Sequence, residues 1–547
     1  MLLSNLNLLA TAPGGVARLR ELILTLAVQG KLVPQDPSDE SASELLKKIR
    51  AEKNRLIAEG KIKRDKPLAE IAQEEKPFEL PLGWEWVRNG ELLSLRKGKN
   101  PKTLSEQPIG KPYLDIEALD RHQIRRYSDE TQVVLCSSSD ILVVCDGSRS
   151  GLVLQGKDGV VGSTLAVIDT PQFIQPYITL IFRAGFQRFN SGMKGAAIPH
   201  LDTKAVLGEV TGLPPLTEQS RIITRVEELM RLCDALEAKG QLEVTQHAQL
   251  VSTLLATLTE SETSAQLAEN WHRIATHFDL LLDRPEAVDA LEQTILQLAV
   301  RGLLVPQDPE DEPASALLKK IRAEKDKLIT EGKIKRDKPL PPIAENEQPF
   351  ELPIGWEWVR LGELFEVASS KRVHANDYVK DGVPFFRSKE IGELGRGVEI
   401  TTEICISRSQ FDSLKVMSGF PKENDLMLTA VGSIGNTWLV DGREFYYKDG
   451  NIAKLRGYCG ISMQYLREFI RSNFFMSQVT DTVSGTAYNA LTIVKLNFMQ
   501  FPLPPLAEQS RIVTRVAQLR RLCADLRQRL AASQSTQACL AEALVTQ

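Results

Sequence analysis

The chain contains one stretch of twelve residues twice, almost unchanged. PFELPLGWEWVR (residues 77–88) and PFELPIGWEWVR (residues 349–360) differ at one position and lie 272 residues apart (349 minus 77). At the same offset, LAVQGKLVPQDP at Leu26 matches LAVRGLLVPQDP at Leu298. A repeat on this scale constrains the fold more than any local propensity, because both copies must form the same structural unit.

A second block repeats at a different offset. LPPLTEQSRIITRV (residues 213–226) matches LPPLAEQSRIVTRV (residues 503–516) at an offset of 290 (503 minus 213). Each half of the chain therefore consists of a constant arm, a variable segment and a constant helix. The variable segments span about residues 89–212 and 361–502, and the second is 18 residues longer (290 minus 272). Each has the size of a single domain.

The variable segments are predicted to be mixed α/β. Apolar runs such as ILVVC (residues 141–145) and TLAVI (residues 164–168) lie between glycine-rich turns and predict strands. Weak similarity between the two copies persists at the Gly-Ser turns that begin at Gly147 and Gly432. We expect one shared scaffold with diverged surfaces.

The second repeated block predicts a long helix in each half. The proline pair before each helix suits the start of a helix better than its middle. Apolar residues then alternate at spacings of four and three, which is the heptad pattern of a coiled coil. The heptad positions are Ile222, Val226, Leu229, Cys233 and Leu236 in the first copy, and Ile512, Val516, Leu519, Cys523 and Leu526 in the second. We expect the two helices to pair with each other; an amphipathic helix lying on its own domain is the alternative.

The constant arms and the repeated tryptophans frame each variable segment. Residues 45–66 and 317–338 have a helical period and are rich in Lys and Arg. A solvated basic helix face is the ordinary interpretation of such a run, and contact with phosphate groups is the alternative. The tryptophans of the two GWEWVR stretches are expected to anchor the variable segment to the constant frame, because they bury a large aromatic area.

Composition limits the class of protein. The formal net charge of −4 argues against a wholly basic surface but allows a local basic face. The seven cysteines form no CxxC pair, and the six histidines show no zinc-type spacing. The first residues lack the basic start of a secretory signal, and no apolar run approaches the length that spans a membrane. We therefore expect a cytoplasmic protein without a membrane contact.

No catalytic motif in the sequence is complete. GLVLQGKD (residues 151–158) has the spacing of a phosphate-binding loop, but Asp158 stands where Ser or Thr would hold magnesium. We find no cofactor loop of an amino-methyltransferase and no acidic cluster of a nuclease in the sequence. We predict no catalytic residue and no metal site on this chain. A duplicated chain without such a constellation is typical of a recognition protein.

The repeated blocks resemble those of the specificity subunit of type I restriction-modification enzymes. The two GWEWVR stretches, the two LPPL-x-EQSRI-x-TRV stretches and the two Gly-Ser turns carry this resemblance, which covers nearly the whole chain. The resemblance implies an α+β fold in which two α/β target recognition domains are separated by long conserved helices. These helices would pair as an antiparallel coiled coil, with an internal pseudo-two-fold repeat.

The resemblance also implies partners. Each target recognition domain would read one half of a bipartite, asymmetric site in double-stranded DNA. Two modification subunits, which bind S-adenosylmethionine, would dock on the paired helices, and two restriction subunits, which use ATP and magnesium, would complete the complex. The chain itself would carry no cofactor.

The predicted domains follow the repeat. They are an N-terminal helical arm (residues 1–76), a first target recognition domain (77–212), a central conserved helix (213–265), a linker with a second helical arm (266–348), a second target recognition domain (349–502) and a C-terminal conserved helix (503–547).

Recognition of DNA needs cations for phosphates and polar or bidentate groups for base edges. The first variable segment offers such groups at Lys97, Lys99, Lys102, Arg121, Arg125, Arg126, Arg149, Arg183, Arg188 and Lys194. The second offers them at Lys371, Arg372, His374, Arg387, Lys389, Arg443, Tyr446, Tyr447 and Lys448. A solvated surface is the alternative for each cluster.

Two other classes of protein are weighed against DNA recognition. A scaffold protein would use the helices and arms to bind other proteins, and a stand-alone restriction or methylation enzyme would carry its own chemistry. Divergent segments inside constant frames favour two different ligands, which suits an asymmetric DNA site. The missing catalytic motifs disfavour the enzyme.

Overall fold

The chain folds into two compact units. A computed structural model describes residues 6–59, 68–191, 200–334, 336, 338–483 and 490–546. Unit 1 consists of Met1–Glu243 together with Gln534–Gln547, and unit 2 consists of Val244–Ser533. The boundaries at Glu243 and Ser533 are equivalent positions of the repeat, since 533 minus 243 gives the same offset of 290.

The first half of the chain contains the following elements. Its helices are α1 (Leu6–Thr11), α2 (Gly15–Val28), α3 (Ala42–Ala58), α4 (Asn89–Leu92), α5 (Ile116–Asp120), α6 (Gln175–Ser191), α7 (Thr203–Gly208) and α8 (Leu216–Thr259). Its strands are β1 (Glu85–Arg88), β2 (Ser94–Lys97), β3 (Lys111–Leu114), β4 (Tyr127–Ser128), β5 (Leu135–Cys136), β6 (Ile141–Val144), β7 (Val153–Gln155), β8 (Gly159–Val161), β9 (Leu165–Asp169) and β10 (Val210–Leu213).

The second half repeats this plan with additions. Its helices are α9 (Ser264–Thr276), α10 (Phe278–Leu281), α11 (Pro285–Val300), α12 (Ala314–Thr330), α13 (Leu361–Leu364), α14 (Ser388–Gly395), α15 (Arg408–Ser418), α16 (Met463–Ile470), α17 (Asn473–Val483), α18 (Ile493–Phe498) and α19 (Leu506–Thr546). Its strands are β11 (Glu357–Arg360), β12 (Phe365–Ala368), β13 (Tyr378–Val379), β14 (Val383–Phe386), β15 (Cys405–Ile406), β16 (Leu426–Thr429), β17 (Thr437–Leu439), β18 (Tyr446–Tyr447), β19 (Ile452–Gly457) and β20 (Gln500–Leu503).

Each variable segment begins and ends in a two-stranded antiparallel ribbon. In unit 1, β1 pairs with β10 so that Trp86 lies opposite Gly212. In unit 2, β11 pairs with β20 so that Trp358 lies opposite Pro502. The two registers are the same, because these residues are equivalent positions of the repeat. The repeated twelve-residue stretch therefore forms the strand that closes the two ends of the variable segment onto each other.

A buried tryptophan joins each ribbon to its long helix. The indole nitrogen of Trp84 donates a hydrogen bond to Oε2 of Glu218 in α8 at 3.0 Å. The indole nitrogen of Trp356 donates the same bond to Glu508 in α19 at 2.9 Å. All four side chains are buried. The expectation that these tryptophans bury their rings is confirmed, and the structure adds the carboxylate partner that the sequence did not indicate.

The buried carboxylates give the frame a pH dependence. Burial raises the pKa of Glu218 and of Glu508 above the ordinary value of 4.5. Between a pH of about 4.5 and the raised pKa, the folded state binds more protons than the unfolded state. The free energy of unfolding therefore falls as the pH rises through this range. A double variant with Glu218→Gln and Glu508→Gln keeps a hydrogen-bond acceptor for each indole. It removes the loss of stability at higher pH, because an amide does not ionise.

We expect the stability advantage of that double variant over the wild type to grow as the pH rises. Urea unfolding of both proteins at several pH values between 5 and 8 measures this difference. An advantage that shrinks with rising pH would show that the two carboxylates are not the groups that destabilise the frame.

The main sheet of each variable segment has the same order of strands. It is β2-β9-β6-β7 in unit 1 and β12-β19-β16-β17 in unit 2, and all neighbouring strands are antiparallel. The strands predicted from ILVVC and TLAVI are β6 and β9, which lie side by side at its centre. The predicted shared scaffold is confirmed in this sheet.

The second sheet differs between the units. Both copies contain one parallel pair, β3 with β8 and β14 with β18. In unit 1 the order is β4-β3-β8-β5, whereas in unit 2 it is β13-β15-β14-β18. In unit 1 the parallel pair has one further strand on each side, whereas in unit 2 both further strands lie on the side of β14. The divergence between the two segments is therefore concentrated in this sheet and the loops around it.

The heptad positions of the long helices are buried within their own units. Ile222 and Val226 of α8 share an apolar cluster with Ile23 of α2. Val516 of α19 shares a cluster with Ile295 of α11. Ile512, Cys233 and Cys523 are also buried in these clusters, Leu229, Leu519 and Leu526 pack at their edges, and Leu236 is half-buried. The arm helices α2 and α11 are partners of the heptad face that the sequence analysis did not identify.

Each long helix contributes residues to both units. Helix α8 begins in unit 1, and its residues from Val244 onward belong to unit 2. Helix α19 begins in unit 2, and its residues from Gln534 onward belong to unit 1. Within unit 2, Leu255 of α8 and Val516 of α19 lie in one apolar cluster. The α+β fold class with an internal repeat and antiparallel long helices is confirmed.

Candidate nucleic-acid interface

In unit 1, four of the predicted cations gather around the short helix α5. We call Arg121, Arg125, Arg126 and Arg149 the arginine cluster. Two of its members bind the ends of α5: Arg126 lies 2.8 Å from the carboxylate of Asp115, and Arg149 lies 2.6 Å from that of Asp120. The other two, Arg121 and Arg125, lie 3.8 and 3.0 Å from Glu117 on the same helix.

The carboxylates of α5 hold the arginines in exposed ion pairs, which other anions can replace. The hydrogen bond from Arg149 lowers the pKa of Asp120 below its usual value, so this pair stays ionised. Arg126 also lies over the ring of Tyr113, 4.8 Å from its centre. The arginine side chains are between 45% and 71% exposed, and exposed ion pairs are weak because water and salt screen them. A phosphate or a base edge can therefore compete for these guanidinium groups.

Helix α5 also owes its position to Asp115. The carboxylate of Asp115 accepts a hydrogen bond from the backbone nitrogen of Ala118 at 2.9 Å, which caps the start of the helix. This residue directly follows β3, the strand of the parallel pair. At the equivalent point after β14, unit 2 has Arg387, whose guanidinium binds Glu390 at 2.8 Å. One unit thus carries an acid and the other a base at the same place in the scaffold.

The remaining predicted cations of unit 1 are more dispersed. Lys97 lies 3.4 Å from Asp146, which also binds His200 at 2.7 Å. Arg188 of α6 binds Glu209 at the end of α7 at 2.8 Å, so it links two helices of the unit. Lys99, Lys102 and Arg183 are exposed. Lys194 lies outside the described residues.

In unit 2, two predicted residues meet around Asp449. Arg372 lies 3.0 Å and Lys448 4.0 Å from its carboxylate. Lys371 is adjacent, and its backbone nitrogen donates a hydrogen bond to the hydroxyl of Tyr446 at 2.9 Å.

Three further predicted residues of unit 2 lie on other parts of its surface. Arg443 binds Asp441 at 2.6 Å and lies 5.5 Å from the ring centre of Trp438. Lys389 lies 3.9 Å from Glu393 in α14. His374 is exposed, and its backbone nitrogen is bound by Asp377.

Tyr446 and Tyr447 do not lie on the surface, which corrects their assignment as DNA-binding residues. Their exposed fractions are 0% and 3%. The ring of Tyr446 packs in one apolar cluster with Phe385, and the ring of Tyr447 packs in another with Phe386. Both faces of β18 are therefore covered. The tyrosines stabilise the second sheet of unit 2 instead of contacting a ligand.

The structure adds two surface residues that the sequence did not single out. His122 lies next to the arginine cluster, with Nδ1 3.1 Å from the Nζ atom of Lys157. Both are exposed. Only the fold brings them together, because 35 residues separate them in the chain.

The basic arm helices use several of their cations inside their own units. In unit 1, Lys53 of α3 donates to the carbonyl oxygen of Gly90 at 2.7 Å, and Arg50 binds Glu91 at 2.5 Å. In unit 2, Lys325 of α12 donates to the equivalent Gly362 at 3.0 Å, and Arg322 binds Glu363 at 2.9 Å. The arms therefore attach to the first turn of each variable segment in the same way.

None of the helices in the described part of the chain is long and apolar enough to span a membrane. Among the same residues, no group of three or more His, Cys, Asp or Glu side chains is placed to hold a metal ion.

Exposed arginines on a duplicated α/β segment that is closed by a constant frame suit the binding of an anionic ligand such as DNA. The family model described as type I restriction modification DNA specificity domain matches residues 81–246 and 353–533. These two matches cover more than half of the chain. The chain belongs to the family of type I restriction enzyme specificity subunits.

Several known members are similar over nearly the whole chain. The specificity subunit of the type I restriction enzyme EcoAI of Escherichia coli is 38% identical over 97% of this chain and 93% of its own length. That of EcoEI, also from Escherichia coli, is 36% identical over the same shares. The solved HsdS subunit from Thermoanaerobacter tengcongensis is 20% identical, with a TM-score of 0.38 over 87% of this chain and 98% of its own.

Proposed function

We propose that each variable segment reads one half of a bipartite, asymmetric site in double-stranded DNA. The paired long helices fix the distance between the halves and dock two modification subunits, and two restriction subunits complete the complex. The chain takes no part in the chemistry. S-adenosylmethionine belongs to the modification subunits, and ATP and magnesium belong to the restriction subunits.

The observation that carries this proposal is the contrast between the two ribbons and the two second sheets. The ribbons β1·β10 and β11·β20 have the same register, whereas the second sheets differ in strand order. A constant frame around diverged surfaces suits two different half-sites better than one symmetric partner. The exchange of Asp115 for Arg387 after the equivalent strand supports this, because the sign of the charge at one position of the shared scaffold is reversed between the two units.

The arginine cluster supports contact with DNA in unit 1. Guanidinium groups bind phosphates and base edges in a bidentate way, and four of them lie around one helix. In the arm helices, by contrast, Lys53 and Lys325 donate to partly buried backbone carbonyl oxygens of their own unit. We therefore assign phosphate contact to the cluster and a bracing role to the arms.

These assignments predict different salt dependences for two sets of variants. Each phosphate contact adds about 0.9 to the slope of log affinity against log salt. Removing a member of the cluster, as in Arg126→Ala or Arg149→Ala, is expected to lower the slope by up to about one unit. The arm variant with Arg50→Gln and Lys53→Gln is expected to lower the melting temperature and to leave the slope unchanged.

Fluorescence titration of a DNA duplex with the assembled methyltransferase at several salt concentrations measures both slopes. The two sets of variants serve as controls for each other. A reduced slope in the arm variant, with an unchanged slope in the cluster variants, would reverse the assignment.

The proposed function is tested by sequencing the methylome of cells that carry this chain with its modification subunit. We expect a split motif that disappears when the gene for this chain is deleted and returns when it is restored. The purified chain alone, incubated with S-adenosylmethionine, ATP and magnesium, is expected to be inert. Unchanged methylation after deletion would refute the proposal.

A further inference from the structure

The one position at which the two twelve-residue stretches differ carries an exposed aliphatic side chain in both units. Leu82 is 85% exposed and Ile354 is 98% exposed. They lie in two equivalent four-residue turns, residues 81–84 and 353–356, which we call the repeated turns. Water would favour a polar residue on such a turn, so an aliphatic side chain at the same place in both copies calls for a function.

Each repeated turn is held firmly by its neighbours. In unit 1, the backbone nitrogen of Trp84 donates to the carbonyl oxygen of Pro81 at 3.3 Å. Gly83 has a φ of +86°, the left-handed conformation of the third residue in a type II turn. Its carbonyl oxygen accepts a hydrogen bond from the nitrogen of Ala42 in the arm at 2.9 Å.

Unit 2 repeats this support closely. The corresponding hydrogen bonds are 3.1 and 2.8 Å long, and the φ of Gly355 is +88°. The next residue, Trp356, is anchored to Glu508 by its indole, as Trp84 is to Glu218. Both aliphatic side chains are therefore presented on rigid supports, which lowers the entropy cost of binding a partner.

The charges around the repeated turns determine what kind of partner fits. Glu79 and Glu85 flank Leu82, and Glu351 and Glu357 flank Ile354 in the same way. All four glutamates are exposed, and none of them forms an ion pair within the part of the chain that the structure describes. Negative charge beside an apolar group repels DNA phosphates and favours a protein surface with an apolar socket and a basic rim.

We propose that the repeated turns are docking sites for the two modification subunits, one subunit on each turn. The inference rests on the proposed function and adds a contact to the one made by the long helices. The two variable segments have diverged because they face different DNA sequences. A surface that is the same in both units binds the same ligand in both units. Two copies of one modification subunit satisfy this condition.

The test uses the full chain co-expressed with its modification subunit. Three variants are compared with the wild type: Leu82→Asp, Ile354→Asp and the double variant. An aliphatic side chain that is buried on docking contributes to the binding free energy. Its replacement by a charged side chain should therefore weaken the affinity of that docking site at least tenfold. In titrations followed by native mass spectrometry, the wild type is expected to take up two modification subunits at similar affinity.

Each single variant should keep one site at wild-type affinity and weaken the other at least tenfold, and the double variant should weaken both. Val416→Asp is the matched control: its side chain is 88% exposed but lies in the variable segment of unit 2, so two subunits should still bind. The exchange variant Leu82→Ile with Ile354→Leu should also bind two. Unchanged melting temperatures verify that all these variants fold.

Three results would overturn the inference. If the double variant bound both modification subunits at wild-type affinity, the repeated turns would not be docking sites, while the proposed function would stand. If it bound both subunits normally but the assembled complex lost DNA affinity, the turns would face DNA instead. If the wild-type chain bound no modification subunit, the proposed function itself would fail together with this inference.

Discussion

Inserting one heptad into each long helix is expected to abolish methylation of the original DNA site. The insertions belong after Glu243 in α8 and after Ser533 in α19, where each helix passes from one unit to the other. Residues 237–246 of α8 are all exposed, so the insertion there disturbs no buried side chain of either unit. Seven residues keep the heptad register and lengthen each helix by roughly 10 Å at about 1.5 Å per residue.

The added length corresponds to about three base pairs, or about a third of a turn of DNA. The two variable segments would then face different sides of the original site. Methylation of duplexes with systematically varied spacers measures the effect, and any residual activity is expected at spacers about three base pairs longer. An insertion variant that folds, binds its modification subunits and still modifies the original spacer at full rate would show that the helices do not set the spacing.

Replacing Trp84 by alanine is expected to destabilise unit 1 by about 3–5 kcal/mol. The substitution empties a buried site, and it removes the hydrogen-bond donor of the buried carboxylate of Glu218. For a domain of this size, such a loss corresponds to a fall in melting temperature of roughly 6–20 °C. The conservative variant Trp84→Phe keeps most of the ring but not the donor, and about 1–3 kcal/mol is expected for the unsatisfied carboxylate.

Trp271→Ala is the matched control for this prediction, because its ring is 44% exposed in α9. Differential scanning calorimetry resolves the two units if they melt separately, and only the transition of unit 1 should move in the Trp84 variants. A Trp84→Ala protein that melts no earlier than the Trp271→Ala control would show that the ribbon does not depend on this anchor.

The local features of the frame were predictable from the sequence. The repeated blocks placed the arms and the long helices, since identical residues at a fixed offset must form identical structure. The starts of α8 and α19 follow directly from the proline pairs, and the short apolar runs give β6 and β9. In each of these cases the signal lies within a few neighbouring residues.

Long-range packing was not predictable. The heptad pattern of α8 shows that one face is buried but not that α2 covers it. The contact between Arg149 and Asp120 joins a turn to the end of α5, 29 residues away in the chain. Tyr446 and Tyr447 stand among polar residues in the sequence, and only the packing of Phe385 and Phe386 on opposite faces of β18 explains their burial. Which cations reach one surface depends on how the loops meet, and a single sequence carries no signal for that.

The central claim is that each variable segment reads its own half of the DNA site. Replacing residues 89–212 by the corresponding segment of a relative keeps β1, the ribbon of unit 2 and both long helices, and the incoming segment supplies its own β10. Sequencing the methylome of cells that carry this hybrid with the modification subunit tests the claim most directly. We expect one half of the recognised motif to change and the other half and the spacer to stay the same. A change in both halves, or in neither although the hybrid assembles, would contradict the account.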